Sequence, residues 1–224
     1  MVGNLDDFET IAARRRSVRA FMPLPVEHSL IERALAAAAT APSSCNTQPW
    51  AVHIVSGERL KKLRAALIEA VRAGQAPAPE VEQASPYEGV YRARQIDSAV
   101  RLFRAQGVER HDRTGRQTSF LRNYAFFDAP HVAFLFIPAT GGLREAADCG
   151  KFAQTLMLAF AAAGVGSCPQ GSLSDYPEIV RRTLDLEETG RLLMGISFGY
   201  ADETDNTATV RPTRITVRSF TQFH

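Results

Sequence analysis

The 224-residue sequence predicts an α+β fold, a small mixed sheet packed among helices. Two segments decide this. From His131 to Pro138 the chain carries Val132, Ala133, Phe134, Leu135, Phe136 and Ile137 without a polar break, the pattern of a strand buried on both faces. Residues 144–163 form the strongest helical stretch, apolar nearly all round from Phe152 onward. Such a helix must be wholly buried, within its protomer or against a second subunit. The other segments interleave helices with few strands, and no internal repeat interrupts them.

Taken in order, residues 6–14 read as a short helix, with Leu5, Phe8, Ile11 and Ala12 at helical spacing. Pro23 and Pro25 punctuate the chain before a second helix over 27–41, which Pro42 ends. Trp50 to Val55 reads as a strand stopped by Ser56-Gly57, and 58–73 as a helix with Arg59, Lys61, Lys62 and Arg64 outward. Gly74 to about Ser85 is rich in Ala, Pro, Gln and Glu, a loop or excursion. Helical character returns near 90–107, ahead of a polar stretch from His111 to Gln117. Gly164 is placed to cap the strong helix, Leu192 to Tyr200 is a further strand, and Thr213 to His224 is extended.

Composition narrows the function classes. With 45% hydrophobic and 22% charged residues the chain is an ordinary globular protein, long enough for a sizeable core in a single domain spanning 1–224. A net charge of +2, with basic clusters separated by acidic residues, gives no nucleic-acid footprint. Cys45, Cys149 and Cys168 do not form paired spacings, which argues against a disulfide framework and a structural zinc site. Asp6, Asp7 and Glu9 lie where a signal core would, and the apolar run Thr155 to Val165 falls short of the roughly 18 residues of a membrane span. The expected setting is the cytoplasm, with no membrane partner.

The usual catalytic motifs (GxSxG, HExxH, Walker A, GxGxxG) are missing, and five scattered histidines offer no metal pair. No metal ligand and no catalytic side chain is assigned. Hard chemistry on this chain would come from an organic cofactor. Three polar segments suit one. Arg14-Arg15-Arg16-Ser17-Val18-Arg19 gathers guanidinium groups that match a phosphate in charge and bidentate geometry, although a solvated basic helix end has the same look. A helix C-terminus is the negative end of the dipole, so a phosphate there needs side chains rather than amides. Pro42 to Trp50 offers Ser43, Ser44, Asn46 and Gln48 on a loop framed by prolines, with Cys45 as buried filler and Trp50 as core packing. Gly166 to Ser172 reads either as a tight turn or as a place where the Gly171 N–H approaches a flat ring.

Taken together, Arg15 to Arg19, Pro42 to Trp50, Gly164 to Ser172 and Met194 to Tyr200 resemble the nitroreductase family of FMN-dependent flavoproteins. Ser197 stands where that family's late strand usually has proline, and the tail from Arg214 to Thr221 matches only weakly. The likeness spans about 8–73 and 130–222, leaving 75–125 as an insert that covers the active site. It implies a nitroreductase-like FMN-binding fold in an intertwined homodimer, with one FMN at each of two sites between subunits. Arg15, Ser17 and Arg214 would hold the phosphate, with Arg16 or Arg211 as further candidates, and Arg19 would lie near the pyrimidine edge. Pro42, Ser43, Ser44 and Asn46 would reach the ribityl chain or ring from the partner subunit. The Gly171 N–H would meet the N5/O4 edge, with Pro169 and Gln170 alongside.

The resemblance also implies a mechanism. NAD(P)H visits transiently, passes hydride to flavin N5 and leaves, and a small aromatic acceptor takes its place in ping-pong order. Nitroaromatics are the family's typical acceptors and quinones a common alternative. The same scaffold serves reductive dehalogenation, flavin breakdown and dehydrogenation, and a non-catalytic FMN-binding protein is a further alternative. In the insert, Tyr87, Tyr91, Phe103, Phe120 and Tyr124 with arginines 92, 94, 101, 104 and 122 either clamp a flat anionic acceptor or brace the dimer.

Overall fold

The computed structural model describes residues 4–82, 86–187 and 190–224; positions 83–85, the end of the loop expected from Gly74, lie outside them. Among the described residues the helices are α1 (Leu5–Arg14), α2 (His28–Ala38), α3 (Gly57–Arg72), α4 (Gly89–Ala105), α5 (Arg113–Tyr124), α6 (Leu143–Ala162) and α7 (Pro177–Leu184). The strands are β1 (Ala51–Ser56), β2 (His131–Ile137), β3 (Gly166–Gln170) and β4 (Arg191–Gly199). They form one sheet in the order β1-β2-β4-β3, every pairing antiparallel. The mixed character expected of the sheet is confined to one parallel bridge, Ser17 to Ser167, at its β3 edge.

Strand β2 is buried from end to end because helices cover both faces of the sheet. Val132, Phe134 and Phe136 point into a core shared with Leu60, Leu63 and Leu67 of α3 and Ile179 and Val180 of α7. Ala133, Leu135 and Ile137 point the other way, against Ile31, Ala34 and Ala38 of α2 and Phe152, Leu156 and Phe160 of α6. Trp50 stacks on Phe152 at 5.0 Å, so it packs as expected. Gly164 (φ +76°) closes α6: its N–H donates to Ala161 O and the Val165 N–H to Phe160 O, the paired bonds of a Schellman cap.

Three elements had no counterpart in the sequence pattern. Helix α5 lies where a polar stretch was read; Asp112 starts it by accepting the Gly115 N–H at 2.8 Å. Helix α7 is only 8 residues long and begins at Pro177. Strand β3 contains Gly166 and Pro169, residues that strands disfavour, yet it is the last strand of the sheet, where a missing N–H is tolerated. Its outer edge is covered by the arginine segment, the Val18 N–H donating to Ser167 O at 3.0 Å.

Helix α6 is not wholly buried by its own chain. Phe152, Leu156 and Phe160 are inside, while Ala147, Gln154 and Ala162 are exposed and Leu158 and Ala161 half-covered. Gly195 marks a close approach on the other face: an added Cβ would lie 2.4 Å from Leu173 Cδ1. Gly195→Ala should therefore lower the urea midpoint, at a cost of about 1–3 kcal/mol; an unchanged midpoint would show that Leu173 moves freely.

His131 ties the chain before α2 to the sheet. Its Nε2 accepts the Val26 N–H at 2.9 Å, its ring stacks on Phe198, and its Nδ1 is buried with no partner among the described residues. Burial holds its pKa below the ordinary imidazole value. The unfolded chain then binds a proton that the native chain refuses, so stability present above about pH 6.5 falls as the pH drops. The urea midpoint should decline between pH 7 and 5, less steeply in His131→Gln; identical slopes would remove His131 from this dependence.

Candidate functional site

Residues 15–19 run extended along β3, and alternation sends their side chains to two sides. Val18 enters the core, while Arg16 leaves toward Glu203, with which it pairs at 2.5 Å. On the other side Arg15, Ser17 and Arg19 converge on Cys168 of β3. Burial pushes that thiol up to about 11, against the opposing pull of Arg19, a hydrogen bond from Ser17, and Arg15. Cys168 therefore stays a neutral thiol, and Cys149, likewise pushed up to about 11 by burial, does too.

Arg214 joins this side. The Arg15 guanidinium is held below its usual range by burial first and by Arg214 second. Among the described residues no carboxylate pairs with either of them. Arg214 Nη1 donates to the carbonyls of Pro212 and Thr213, at 3.2 and 3.4 Å. Arg211 donates to Ala208 O at 2.7 Å and to Val210 O at 3.1 Å, closing its own turn. A cleft of about 280 Å³ runs between Arg14, Arg15, Arg16 and Arg211 and the end of α6 at Ala161 to Gly166.

Beyond Cys168 the chain reaches Pro169, Gln170 and Gly171. Gly171 opens a short 3-10 turn, which leaves its N–H outside the turn's own hydrogen bonds. An added Cβ there would meet nothing within 4 Å, so this face is open. Gln170 is different: it is 4% exposed, its Nε2 donates to Asn123 O at 2.8 Å and its Oε1 accepts the Ser197 hydroxyl at 2.5 Å. Its side chain turns inward, away from a place alongside a ligand.

The loop after Pro42 is built separately. Cys45, Asn46 and Gln48 all have positive φ (50°, 57° and 47°), a conformation strained for residues other than glycine. Ser43 Oγ accepts the Gln48 N–H at 2.9 Å, and the Ser44 N–H donates to Asp148 Oδ2 at 2.9 Å. Asp148 is buried and pairs with Lys151 at 2.6 Å; that contact, then the Ser44 N–H, holds its carboxyl below the usual range. Cys45 is exposed, which corrects its reading as buried filler: it serves the turn, not the core.

The protomer does not bring this loop to the arginines. Asp148 lies near the start of α6 and the arginine cleft flanks its end at Ala161. Thirteen residues of helix separate them by about 20 Å.

Helix α5 touches the site from behind. Arg122 Nη2 donates to Arg19 O at 2.7 Å and lies 3.8 Å from Asp205. Several insert side chains are spent locally: Arg101 pairs with Asp97, Arg116 covers the Phe103 ring, and buried Tyr124 donates to Asp175 at 2.7 Å. Tyr87, Tyr91 and Phe120 stay exposed. The sequence reading did not single out Asp148, Lys151 or Glu203, and it named Arg122 among the insert arginines without its contact to Arg19. The one signal for the first was a lone carboxylate on the inner face of an otherwise apolar helix.

Among the described residues no helix is long and apolar enough to cross a membrane, and no cluster of metal-ligating side chains occurs. The family model "Nitroreductase family" matches residues 12–200, running through the stretch 75–125. The chain is 40% identical over 220 residues to nitroreductase NfnB of Mycolicibacterium smegmatis, covering 96% of this chain and 92% of that one. It is 32% identical over 218 residues to a 4-nitrobenzoate reductase of Pseudomonas putida, covering 97% and 96%. The crystal structure of FMN-dependent NfnB from Mycobacterium smegmatis in complex with NADPH superposes with a TM-score of 0.93 at 39% identity, over 98% of this chain and 99% of that one. With its fold, its arginine face and its sequence in agreement, the chain belongs to the nitroreductase family.

Proposed function

We propose that this protein is an FMN-dependent oxidoreductase that carries electrons from NADPH to nitroaromatic acceptors. One observation carries the reading: half-buried Arg15 stands beside Arg214 with no carboxylate partner for either among the described residues. Two adjacent cations repel, and a doubly charged phosphate with bidentate oxygens turns that repulsion into attraction. Ser17, on the same side, adds a hydroxyl. Arg19 supplies a positive charge farther along, where it favours electron density on a reduced ring. Gly171 offers an N–H on an open face. Bound there, FMN supplies two-electron transfer between NADPH and the acceptor in ping-pong alternation. The relatives' substrates make nitrobenzoate-like anions the acceptors to try first.

The site needs a second copy of the chain. Loop 42–48 and the arginine face sit at opposite ends of α6, and the outer stripe of α6 leaves Ala147, Gln154 and Ala162 exposed and Leu158 half-covered by its own protomer. Two α6 helices packed antiparallel about a two-fold axis would bring Ser43, Ser44 and Asn46 of one copy to the arginines of the other. In this reading residues 1–224 form one domain, the 75–125 stretch covers the active site, and the enzyme works in the cytoplasm, where its free cysteines stay reduced.

The test is the visible spectrum of purified protein, before and after NADPH is added without oxygen. Flavin bands that bleach with NADPH and return with 4-nitrobenzoate are expected. A colourless protein that takes up no FMN would overturn the reading, and a yellow one that NADPH leaves unbleached would make it a binder without turnover. Sedimentation of the flavin-loaded protein should give a dimer; a loaded monomer refutes the shared site.

A further inference from the structure

Gln170 stands immediately before Gly171, yet its amide is engaged elsewhere at both ends. The Ser197 hydroxyl, wholly buried in β4, donates to Oε1 at 2.5 Å, and Nε2 donates to the Asn123 carbonyl in the last turn of α5 at 2.8 Å. In the sheet register Gln170 faces Gly195 and Cys168 faces Ser197, so the side chains of β3 and β4 concerned here share the face that carries α5. Both ends of the amide are distinguished: one partner can only accept, and the other here donates. The amide is therefore locked in one orientation. Proline, the residue usual at position 197 in the pattern this chain resembles, has no hydroxyl and could not make this bond.

We propose that Ser197 and Gln170 are positioning residues. They tie the last turn of α5 to the sheet edge and thereby fix the Gly171 N–H where it meets the N5/O4 edge of the flavin. The inference rests on the flavin reading above. A buried amide held at both ends transmits displacement of either neighbour, because releasing one end leaves an unpaired polar atom in the core. The second contact of α5 with the site, Arg122 on Arg19 O, steadies the other flank, so α5 braces the backbone on both sides of the ring.

The experiment compares wild type with Ser197→Ala and Ser197→Thr in FMN-loaded protein, using sulfite, a nucleophile that adds at flavin N5, as the probe. Ser197→Ala should bind sulfite at least threefold more weakly and show a lowered midpoint potential, with FMN affinity within twofold of wild type. Ser197→Thr, which keeps the hydroxyl, should restore both. In FMN-free protein the amides of 170–172 should exchange hydrogen at least tenfold faster in Ser197→Ala. Should that variant not fold, Gln170→Met must give the same pattern. Unchanged sulfite affinity in the loaded variant, with unchanged exchange in the FMN-free one, overturns the relay alone; wild-type protein that takes up no FMN overturns the flavin reading and the relay together.

Discussion

Arg15→Ala should lose FMN while keeping its fold. The side chain makes no ion pair among the described residues, and its strongest charged neighbour is another cation, Arg214. Truncation therefore removes repulsion from the empty protein, whose urea midpoint should stay level or rise slightly. With the phosphate bound, the same truncation removes a charge-assisted hydrogen bond worth about 1.5–3 kcal/mol, or roughly 10- to 150-fold in affinity. Opposite movement of the two readouts is the signature, and it separates a ligand-binding arginine from a structural one. Fluorescence titration of apo-protein with FMN measures the first and urea unfolding the second. Equal FMN affinity in wild type and variant would take Arg15 out of the phosphate site. Arg16→Ala supplies the contrast, since its guanidinium is already paired with Glu203 and its loss should change FMN affinity little.

Gly171→Val should be invisible to stability and conspicuous in the flavin. A Cβ at this position meets no atom within 4 Å of its own chain, and the backbone has no positive φ that a side chain would strain. The added isopropyl group instead occupies the space over the open N–H. Either the flavin is held off that N–H, shifting its visible bands and lowering its midpoint potential, or it fails to bind. Loss of sulfite reactivity at N5 by tenfold or more is the expected scale. A variant with wild-type spectrum and potential would move the ring elsewhere. Gly195→Ala is the counter-case on the same sheet, where the Cβ strikes Leu173 and stability should fall whether or not flavin is present.

These predictions show how far the residues spoke before the fold was known. Periodicity located β2 and α6 because both are long and strongly apolar, and the glycine after α6 marked its end correctly. Strand β3 was opaque: Gly166 and Pro169 hide a strand whose edge position and Arg15-to-Arg19 cover make those residues harmless. Helix α5 was hidden by its polar first half, since only Ser119 and Tyr124 of it are buried. For the candidate site the family resemblance named Arg15, Ser17 and Arg19, and alternation along the extended backbone sets these three on one side. The resemblance could not foresee that Arg16, kept there as a further phosphate candidate, pairs with Glu203, 187 positions away. Nor could it turn Gln170 inward, because the two groups that claim its amide come from distant parts of the chain.

The separation of the strained 42–48 loop from the arginine face has a genetic consequence. A chain lacking Arg15 still carries a sound loop, and a chain with a ruined loop still carries sound arginines. In the proposed shared-site dimer, two such chains mixed from denaturant should form hybrids in which one of the two sites is whole, recovering up to about a quarter of native turnover if pairing is random and each site counts equally. At FMN too dilute to load the Arg15 variant neither parent refolded alone should regain turnover, and dilution below the dimer dissociation constant should switch even the native enzyme off.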